Sequence, residues 1–132
     1  MHNKDIKTQL TKTLKSAYSP YSQVKVAAAV EFEVDGIGQV AYGVNVENVS
    51  YGLTICAERS AISNAIVAGM SNITAVYVMS NQEQPISPCG ACRQVLTEFM
   101  SQPQGLVECV NESQTKTWRS TLGELLPNRF DL

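Results

Sequence analysis

Apolar side chains recur along this chain at two periods, and each period predicts a different secondary structure. Ile6, Leu10, Leu14 and Ala17 lie three or four residues apart, which is the spacing of one face of an α-helix. A breaker follows in the run Tyr-Ser-Pro-Tyr at 18–21. We therefore predict an N-terminal helix with a narrow apolar stripe that extends up to this run.

Two strands are predicted next, because apolar residues then occupy every second position. The alternation runs over residues 24–34 and again over 40–46, and Asp35-Gly36 between them predicts a turn. Asn45 and Glu47 are two positions apart at the end of the second strand. Since side chains two apart point to the same face of a strand, these two could hold one ligand together.

Residues 56–79 predict a helix followed by a buried strand. Ala, Ile and Val recur at helical spacing from about Cys56 to Ala68, and Gly69 follows as a stop signal. The run from Ile73 to Met79 is almost entirely apolar. Such a run is typical of a central strand that is covered on both faces.

The C-terminal part predicts a helix, a hairpin and a short final helix. A helix is expected over about 89–100, and strands are expected over 106–110 and 115–119. The four residues between these strands allow a hairpin but are too few for a parallel crossover, so we expect an antiparallel pair. Thr121 and Glu124 are spaced as in a capping box, which predicts the start of the last helix.

Composition narrows what this α/β chain could bind. With 132 residues it is expected to form a single domain over 1–132. Its net charge is −2, from 10 basic and 12 acidic residues, which excludes a broad cationic surface for nucleic acid or an anionic membrane. A small neutral substrate is favoured. The N-terminus lacks the apolar core of a secretion signal, and no run reaches membrane-spanning length, so we expect a cytoplasmic protein.

The candidate chemistry is concentrated in three cysteines and one glutamate. Cys56 and Glu58 stand two residues apart, and Cys89 and Cys92 stand three apart at the start of a predicted helix. Thiolates suit zinc, and three protein ligands leave one position for water, as in catalytic zinc sites. A neighbouring carboxylate could deprotonate that water. Both predicted helices would also direct the positive end of their dipoles at the thiolates.

The order of these residues resembles a known family. Cys-Ala-Glu followed by Pro-Cys-x-x-Cys is the signature of zinc nucleoside and nucleobase deaminases. The resemblance to small homotetrameric cytidine deaminases covers nearly the whole chain and implies a three-layer α/β/α fold, with a five-stranded mixed sheet and an antiparallel C-terminal hairpin. The runs that carry it are YSPYS at 18–22, GVNVENVSYGLTICAERSAI at 43–62, SPCGACRQVL at 87–96 and ELLP at 124–127.

The resemblance implies one zinc ion per chain, held by Cys56, Cys89 and Cys92. Glu58 would shuttle protons while a zinc-activated hydroxide attacks carbon 4 of the pyrimidine. Cytidine and deoxycytidine would give uridine and deoxyuridine with release of ammonia, a reaction of pyrimidine salvage.

Four further residues match substrate-binding positions of the family. Asn45 and Glu47 match residues that hydrogen-bond ribose hydroxyls. The backbone amide of Ala57 would hold the pyrimidine edge. Phe130 would reach the base bound by a neighbouring subunit, which would make the active sites of a homotetramer shared between subunits.

Arg59 matches an arginine that donates hydrogen bonds to ligand thiolates in family members with three cysteines. Three thiolates give the site a net negative charge, which opposes ionisation of the bound water. Arg59 is expected to offset this charge and restore the acidity of the metal.

Two positions depart from the family pattern YSxFxVGAA. Val24 stands where an aromatic residue usually packs against the base, and Ala27 stands where glycine is usual. We expect the pocket beside the base to be altered at Val24, with relaxed selectivity toward substituted cytidines.

Two alternatives to a cytidine deaminase follow from these residues. One is a deaminase of amine-substituted cytidines or of a cytosine nucleoside antibiotic of the blasticidin type, which Val24 keeps open. The other is a noncatalytic zinc or thiol-redox module. Cys109 is expected to be a buried structural thiol. His2, the only histidine, is expected to fray at the terminus without a catalytic role.

Overall fold

Five strands and four helices build the part of the chain that the structure, a computed structural model, describes, which is residues 3–132. His2 lies outside it. A short 3₁₀ turn (Tyr51–Leu53) precedes the second helix. The helices and strands are, in chain order, α1 (Asn3–Leu14), β1 (Val26–Val34), β2 (Ile37–Val44), α2 (Ala57–Val67), β3 (Ile73–Ser80), α3 (Gly90–Phe99), β4 (Leu106–Asn111), β5 (Thr117–Thr121) and α4 (Leu122–Leu125).

The strands form one mixed sheet in the order β2-β1-β3-β4-β5. β3 and β4 are parallel, whereas the other neighbouring pairs are antiparallel. The predictions of a central β3 and of an antiparallel C-terminal hairpin are both confirmed. β3 is buried at seven of its eight positions, because its apolar run is covered from both sides.

Helices cover both faces of the sheet, which confirms the three-layer α/β/α architecture. α1 buries Ile6, Leu10 and Leu14 against one face, where small side chains of β1 allow a close approach. α2 and α3 pack on the opposite face, around residues such as Val76 and Leu96. No helix among residues 3–132 is long and apolar enough to cross a membrane.

Both faces of β1 are therefore covered, although its alternation resembles that of a strand with unlike faces. Ala27 and Ala29 point to the α1 side and are fully buried, as are Ala28 and Val30 on the other side. Ala27, which stands where the family usually has glycine, is thus a core residue beneath α1. Its small side chain fits a close contact between helix and sheet.

A buried ion pair fixes α1 to the C-terminal hairpin. The carboxylate of Glu108 in β4 is inaccessible to solvent, with Lys7 Nζ 3.1 Å and Arg119 Nε 2.6 Å from its two oxygens. Lys7 comes from α1 and Arg119 from β5. A buried carboxylate needs such partners, because desolvation of an unpaired charge is unfavourable.

The N-terminal element boundaries differ from the sequence prediction for local reasons. α1 ends at Leu14 instead of Ala17, and the chain leaves it through tight turns in which Ala17 N–H donates to the Leu14 carbonyl. β1 begins at Val26 instead of Val24, because side chains bind the backbone just before it: Lys25 N–H donates to Asn81 Oδ1, and the Val24 carbonyl accepts from Asn45 Nδ2.

The second strand of the C-terminal hairpin, β5, starts at Thr117, two residues later than predicted. Asn111 is the cause. Its side chain accepts a hydrogen bond from Lys116 N–H at 3.0 Å and donates one to Thr115 Oγ1 at 2.9 Å, which holds these residues in the loop. The predicted capping box of α4 is present, formed by Thr121 and Glu124.

Candidate active site

Three cysteine sulfurs from two helix N-termini meet at one point of the α2–α3 face. The Sγ atoms of Cys56, Cys89 and Cys92 all lie within 4.8 Å of one another. Cys56 is the N-cap residue of α2 and Cys89 is the N-cap residue of α3. Cys92 lies one turn into α3, and its backbone N–H donates to Cys89 Sγ at 3.5 Å.

These sulfurs fit a zinc ion. Tetrahedral zinc with Zn–S bonds of about 2.3 Å separates its sulfur ligands by about 3.8 Å, and the Cys56 and Cys89 Sγ atoms are 4.0 Å apart. A hydrogen bond from Cys92 and further ones from Arg59 and Cys89 lower the pKa of Cys56 to about 5. The pKa of Cys92 is raised by its hydrogen bond with Cys56 and by burial. Cys56 and Cys92 therefore need a cation between them in order to ionise together.

Glu58 lies in the first turn of α2, two residues after Cys56, and is 5% exposed. Burial and, to a lesser extent, the negative charge of Cys56 raise the pKa of Glu58 to about 7, against the opposing effect of Arg59. A carboxyl group with a pKa near neutrality can both accept and donate a proton at physiological pH.

Arg59 reaches the first thiolate from the same helix. Its Nη2 donates to Cys56 Sγ at 3.5 Å. The sequence places Arg59 three residues after Cys56, and one helical turn brings such side chains together. The contact puts a positive charge beside a cluster of anionic ligands.

Gly43 in β2 sets the distance between the sheet and α2. A Cβ atom at Gly43 would lie 2.7 Å from both the Ala57 carbonyl oxygen and the Ser60 carbonyl carbon, and closer still to the Ala61 nitrogen. All three are backbone atoms of α2, so no side chain can move aside. The helix that carries Cys56 and Glu58 therefore rests directly on the β2 backbone.

Asn45 and Glu47 follow β2 and bind the loop that leads into β1. Asn45 Oδ1 accepts from Val26 N–H at 2.9 Å, and Asn45 Nδ2 donates to the Val24 carbonyl at 2.8 Å. Glu47 accepts from the backbone N–H groups of Tyr21 and Ser22 at 3.0 and 3.1 Å.

The Ser22 hydroxyl also donates to Glu47. This side-chain hydrogen bond, with those from the backbone, lowers the pKa of Glu47, so the carboxylate is ionised at neutral pH. The sequence indicated that Asn45 and Glu47 share a face, but it gave no sign of this loop as their partner.

Asn81, after β3, is a further polar residue in contact with that loop. Its Oδ1 accepts from Lys25 N–H at 3.0 Å and its Nδ2 donates to the Gln23 carbonyl at 3.1 Å. Val24 is therefore held by Asn81 contacts to both of its neighbours and by Asn45 at its own carbonyl. An isolated Asn after a strand is a turn signal, and nothing else in the sequence marks its role.

The remaining predicted residues lie as follows. Ala57 is fully buried as the first residue of α2, where a backbone N–H has no partner within the helix. Val24 is half-buried. Phe130 is 71% exposed, and its carbonyl accepts from Gln94 Nε2 at 3.3 Å. Cys109 is fully buried in β4 outside the sulfur cluster, and burial raises its pKa to about 12.

In this chain, three thiols and a buried carboxyl group meet at two helix N-termini on a mixed sheet. These features place the site in the class of catalytic zinc sites. The comparisons with known proteins name the family. Residues 2–104 match the sequence profile described as the cytidine and deoxycytidylate deaminase zinc-binding region. The chain belongs to this family, and it is a zinc-dependent enzyme.

Individual cytidine deaminases resemble this chain over most of its length. A cytidine deaminase of Halalkalibacterium halodurans is 40% identical over 114 residues, which are 86% of this chain and 83% of that protein. One from Mycoplasma genitalium is 41% identical over 92% of this chain and 90% of its own length. The crystal structure of cytidine deaminase from Burkholderia pseudomallei superposes with a TM-score of 0.86 at 39% identity, over 98% of this chain and 100% of that one.

Proposed function

We propose that this chain hydrolyses cytidine and deoxycytidine to uridine and deoxyuridine with release of ammonia. The observation that carries the proposal is the buried Glu58 beside the cluster of Cys56, Cys89 and Cys92. Relatives about 40% identical over most of the chain, all called cytidine deaminase, support the same reaction.

Cys56, Cys89 and Cys92 hold the zinc ion in this proposal. Zinc bound there supplies a Lewis acid that lowers the pKa of water and so provides a nucleophile at neutral pH. The thiols reach this state only when reduced, which supports a cytoplasmic location. Arg59, within hydrogen-bond distance of Cys56, offsets part of the negative charge that the three thiolates accumulate.

Glu58 is the proton carrier. Burial favours the protonated form of Glu58 and raises its pKa, which suits a group that must take up a proton and release it again. The carboxylate takes a proton from the attacking water and delivers it to the ring nitrogen of the pyrimidine. It then takes the second proton of that water from the hydroxyl group now on carbon 4 and passes it to the amine, which departs as ammonia while the carbon 4 carbonyl forms. Positioned proton transfer of this kind contributes about 10²–10⁴-fold in rate.

The hydrogen bonds that Asn45 and Glu47 already make limit how many sugar hydroxyl groups they can bind. An ionised carboxylate offers about four acceptor positions, and loop donors occupy three of those on Glu47. Asn45 retains one donor and one acceptor position after its two loop bonds. Together they suit one hydroxyl group that donates to Glu47 and accepts from Asn45. Recognition of a single hydroxyl would allow both ribose and deoxyribose nucleosides to be accepted.

Ala57 and Val24 complete the proposed base pocket. The free N–H of Ala57 at the start of α2 holds the pyrimidine edge. Val24 forms the wall where an aromatic ring is usual, and its smaller side chain leaves space near the base. The alternative substrate, a cytosine nucleoside antibiotic or an amine-substituted cytidine, is less favoured because the relatives are called cytidine deaminases and Asn45 and Glu47 are both retained.

A homotetramer with shared sites is the proposed assembly. The segment just before Cys56 exposes Val49, Tyr51 and Leu53 at 66–78%, although all three are apolar. Such a patch next to a catalytic residue suits a contact between subunits. Phe130, exposed on the C-terminal segment, would enter the neighbouring subunit's base pocket.

Two measurements on one sample test the proposed function. Zinc content should be one ion per chain, and cytidine and deoxycytidine should both lose absorbance as ammonia is released. Amine-substituted cytidines form the comparison panel. Zinc-loaded protein that leaves cytidine and deoxycytidine unchanged would refute the proposal, and a marked preference for the substituted analogues would favour the alternative.

A further inference from the structure

Arg93 makes three hydrogen bonds that connect the second metal half-site to the C-terminal segment. Its Nε donates to the Pro88 carbonyl at 2.7 Å, and its Nη2 donates to Ser87 Oγ at 2.6 Å. Its Nη1 donates to the Leu125 carbonyl at 2.9 Å. Each nitrogen of the guanidinium group thus has its own acceptor, in the forked geometry that arginine alone provides.

The bonds to Ser87 and Pro88 act on the ligand Cys89. The Pro88 carbonyl belongs to the peptide unit that ends at the Cys89 α-carbon, and Pro88 itself is buried. Because a peptide unit is planar, fixing its carbonyl fixes the direction in which the chain enters Cys89. The N-cap of α3, and with it the Cys89 thiolate, is therefore held from outside the metal site as well as from within its own helix.

The bond to Leu125 adds a segment that is remote in sequence. Leu125 is the last residue of α4, where carbonyl groups lack helical partners and attract a cation. The neighbouring Gln94 donates to the Phe130 carbonyl at 3.3 Å. Residues 93 and 94 of α3 therefore hold both ends of the C-terminal segment 125–130.

We propose that Arg93 is a positioning residue that locks Cys89 and the C-terminal segment into one unit and so retards loss of zinc. Arg93 touches neither the metal nor the substrate in this account. The inference rests on the metal site of the proposed function but not on the identity of the nucleoside. Loss of an outer contact of this kind lowers metal affinity by about 10–100-fold.

The test measures zinc release from the loaded protein into an excess of a coloured chelator, without nucleoside. Arg93→Gln should release zinc about 10–100-fold faster than wild type. Arg93→Lys should resemble Arg93→Gln, because a single ammonium group keeps the charge but cannot reach three separate acceptors. Hydrogen exchange of the backbone amides in 122–130 should also accelerate in both variants. If Arg93 acted only on the metal loop, its loss would leave this exchange unchanged.

Gln94→Ala is the matched control. Gln94 is adjacent on α3 and touches the C-terminal segment, but its hydrogen bonds go to Thr97 and Phe130 and not to the metal loop. It should therefore keep the wild-type rate of zinc release. A folded Arg93→Gln variant that releases zinc at the wild-type rate would overturn the proposal, as would equal acceleration in Gln94→Ala.

Ser87→Ala decides the question if Arg93→Gln does not fold. It removes one acceptor of the fork and leaves the other two in place, so a few-fold faster release supports the proposal and an unchanged rate overturns it. A protein that passes this test but does not deaminate cytidine would contradict the proposed function alone.

Discussion

Replacing Gly43 by alanine should disturb catalysis from a position that need not touch the substrate. The new Cβ would lie 2.7 Å from backbone atoms of Ala57 and Ser60, whereas ordinary contact begins at 3.4 Å. Helix α2 must therefore move away from β2 by more than 0.7 Å, the difference between these distances, because the Ala61 nitrogen lies closer still. Cys56 and Glu58 move with it.

Two effects are expected from this displacement, one on stability and one on rate. Overpacking of a close contact destabilises a protein by about 1–3 kcal/mol. A misplacement approaching 1 Å at a catalytic group lowers the rate by up to about 10²-fold. We therefore expect Gly43→Ala to fold, with a lower midpoint of chemical denaturation, and to lose about 10–100-fold in kcat/KM.

The assay is cytidine deamination, followed by ultraviolet absorbance, on samples of known zinc content. Gly38→Ala is the matched control, since Gly38 lies in the same strand and its Cβ would meet no atom within 4 Å. The control should retain activity and stability within the ordinary range of surface substitutions. Wild-type activity in Gly43→Ala would show that the close seating of α2 on β2 does not position the catalytic residues.

Three further predictions concern the site itself. Glu58→Gln should nearly abolish turnover while zinc stays bound. In the zinc-free protein the same substitution should also remove one pH-dependent contribution to stability. The folded-state pKa of Glu58, about 7, exceeds the ordinary 4.5, so the stability that Glu58 contributes falls by about 3 kcal/mol as pH rises through this interval. Denaturation at pH 4.5 and 8 measures this, and a difference between the two proteins that is independent of pH would contradict it. Arg59→Ala should lower kcat more than zinc content, because the charge beside Cys56 is lost, and unchanged turnover would count against the role. Val24→Phe should narrow the substrate range toward unsubstituted cytidine, and identical profiles for cytidine and bulky amine-substituted analogues would end that explanation.

Local spacing was enough to predict the helices, the antiparallel pair of strands at the C-terminus and the metal ligands. Cys56 and Glu58 belong to one helical turn, as do Cys89 and Cys92, so the relative placement within each pair follows from helix geometry. The capping box at Thr121 is likewise a contact between residues three apart. Short-range geometry of this kind is repeated in every protein, and a sequence pattern therefore suffices.

Contacts between remote segments could not be predicted in this way. Asn81 meets the loop before β1 across 56 or more positions of sequence, and Arg93 meets Leu125 across 32. Whether Gly43 lies under α2 depends on how the helix packs on the sheet. β1 begins only at Val26, although the apolar alternation starts at Val24, because Asn45 and Asn81 bind the backbone of residues 23–25.

The chain by itself thus determined which groups can bind zinc and move protons, because that chemistry depends on residue type and spacing. Only the tertiary structure decided what holds these groups in place. Packing and hydrogen bonding between segments depend on their relative position in space, and this position is set by the whole sheet and both helix layers together.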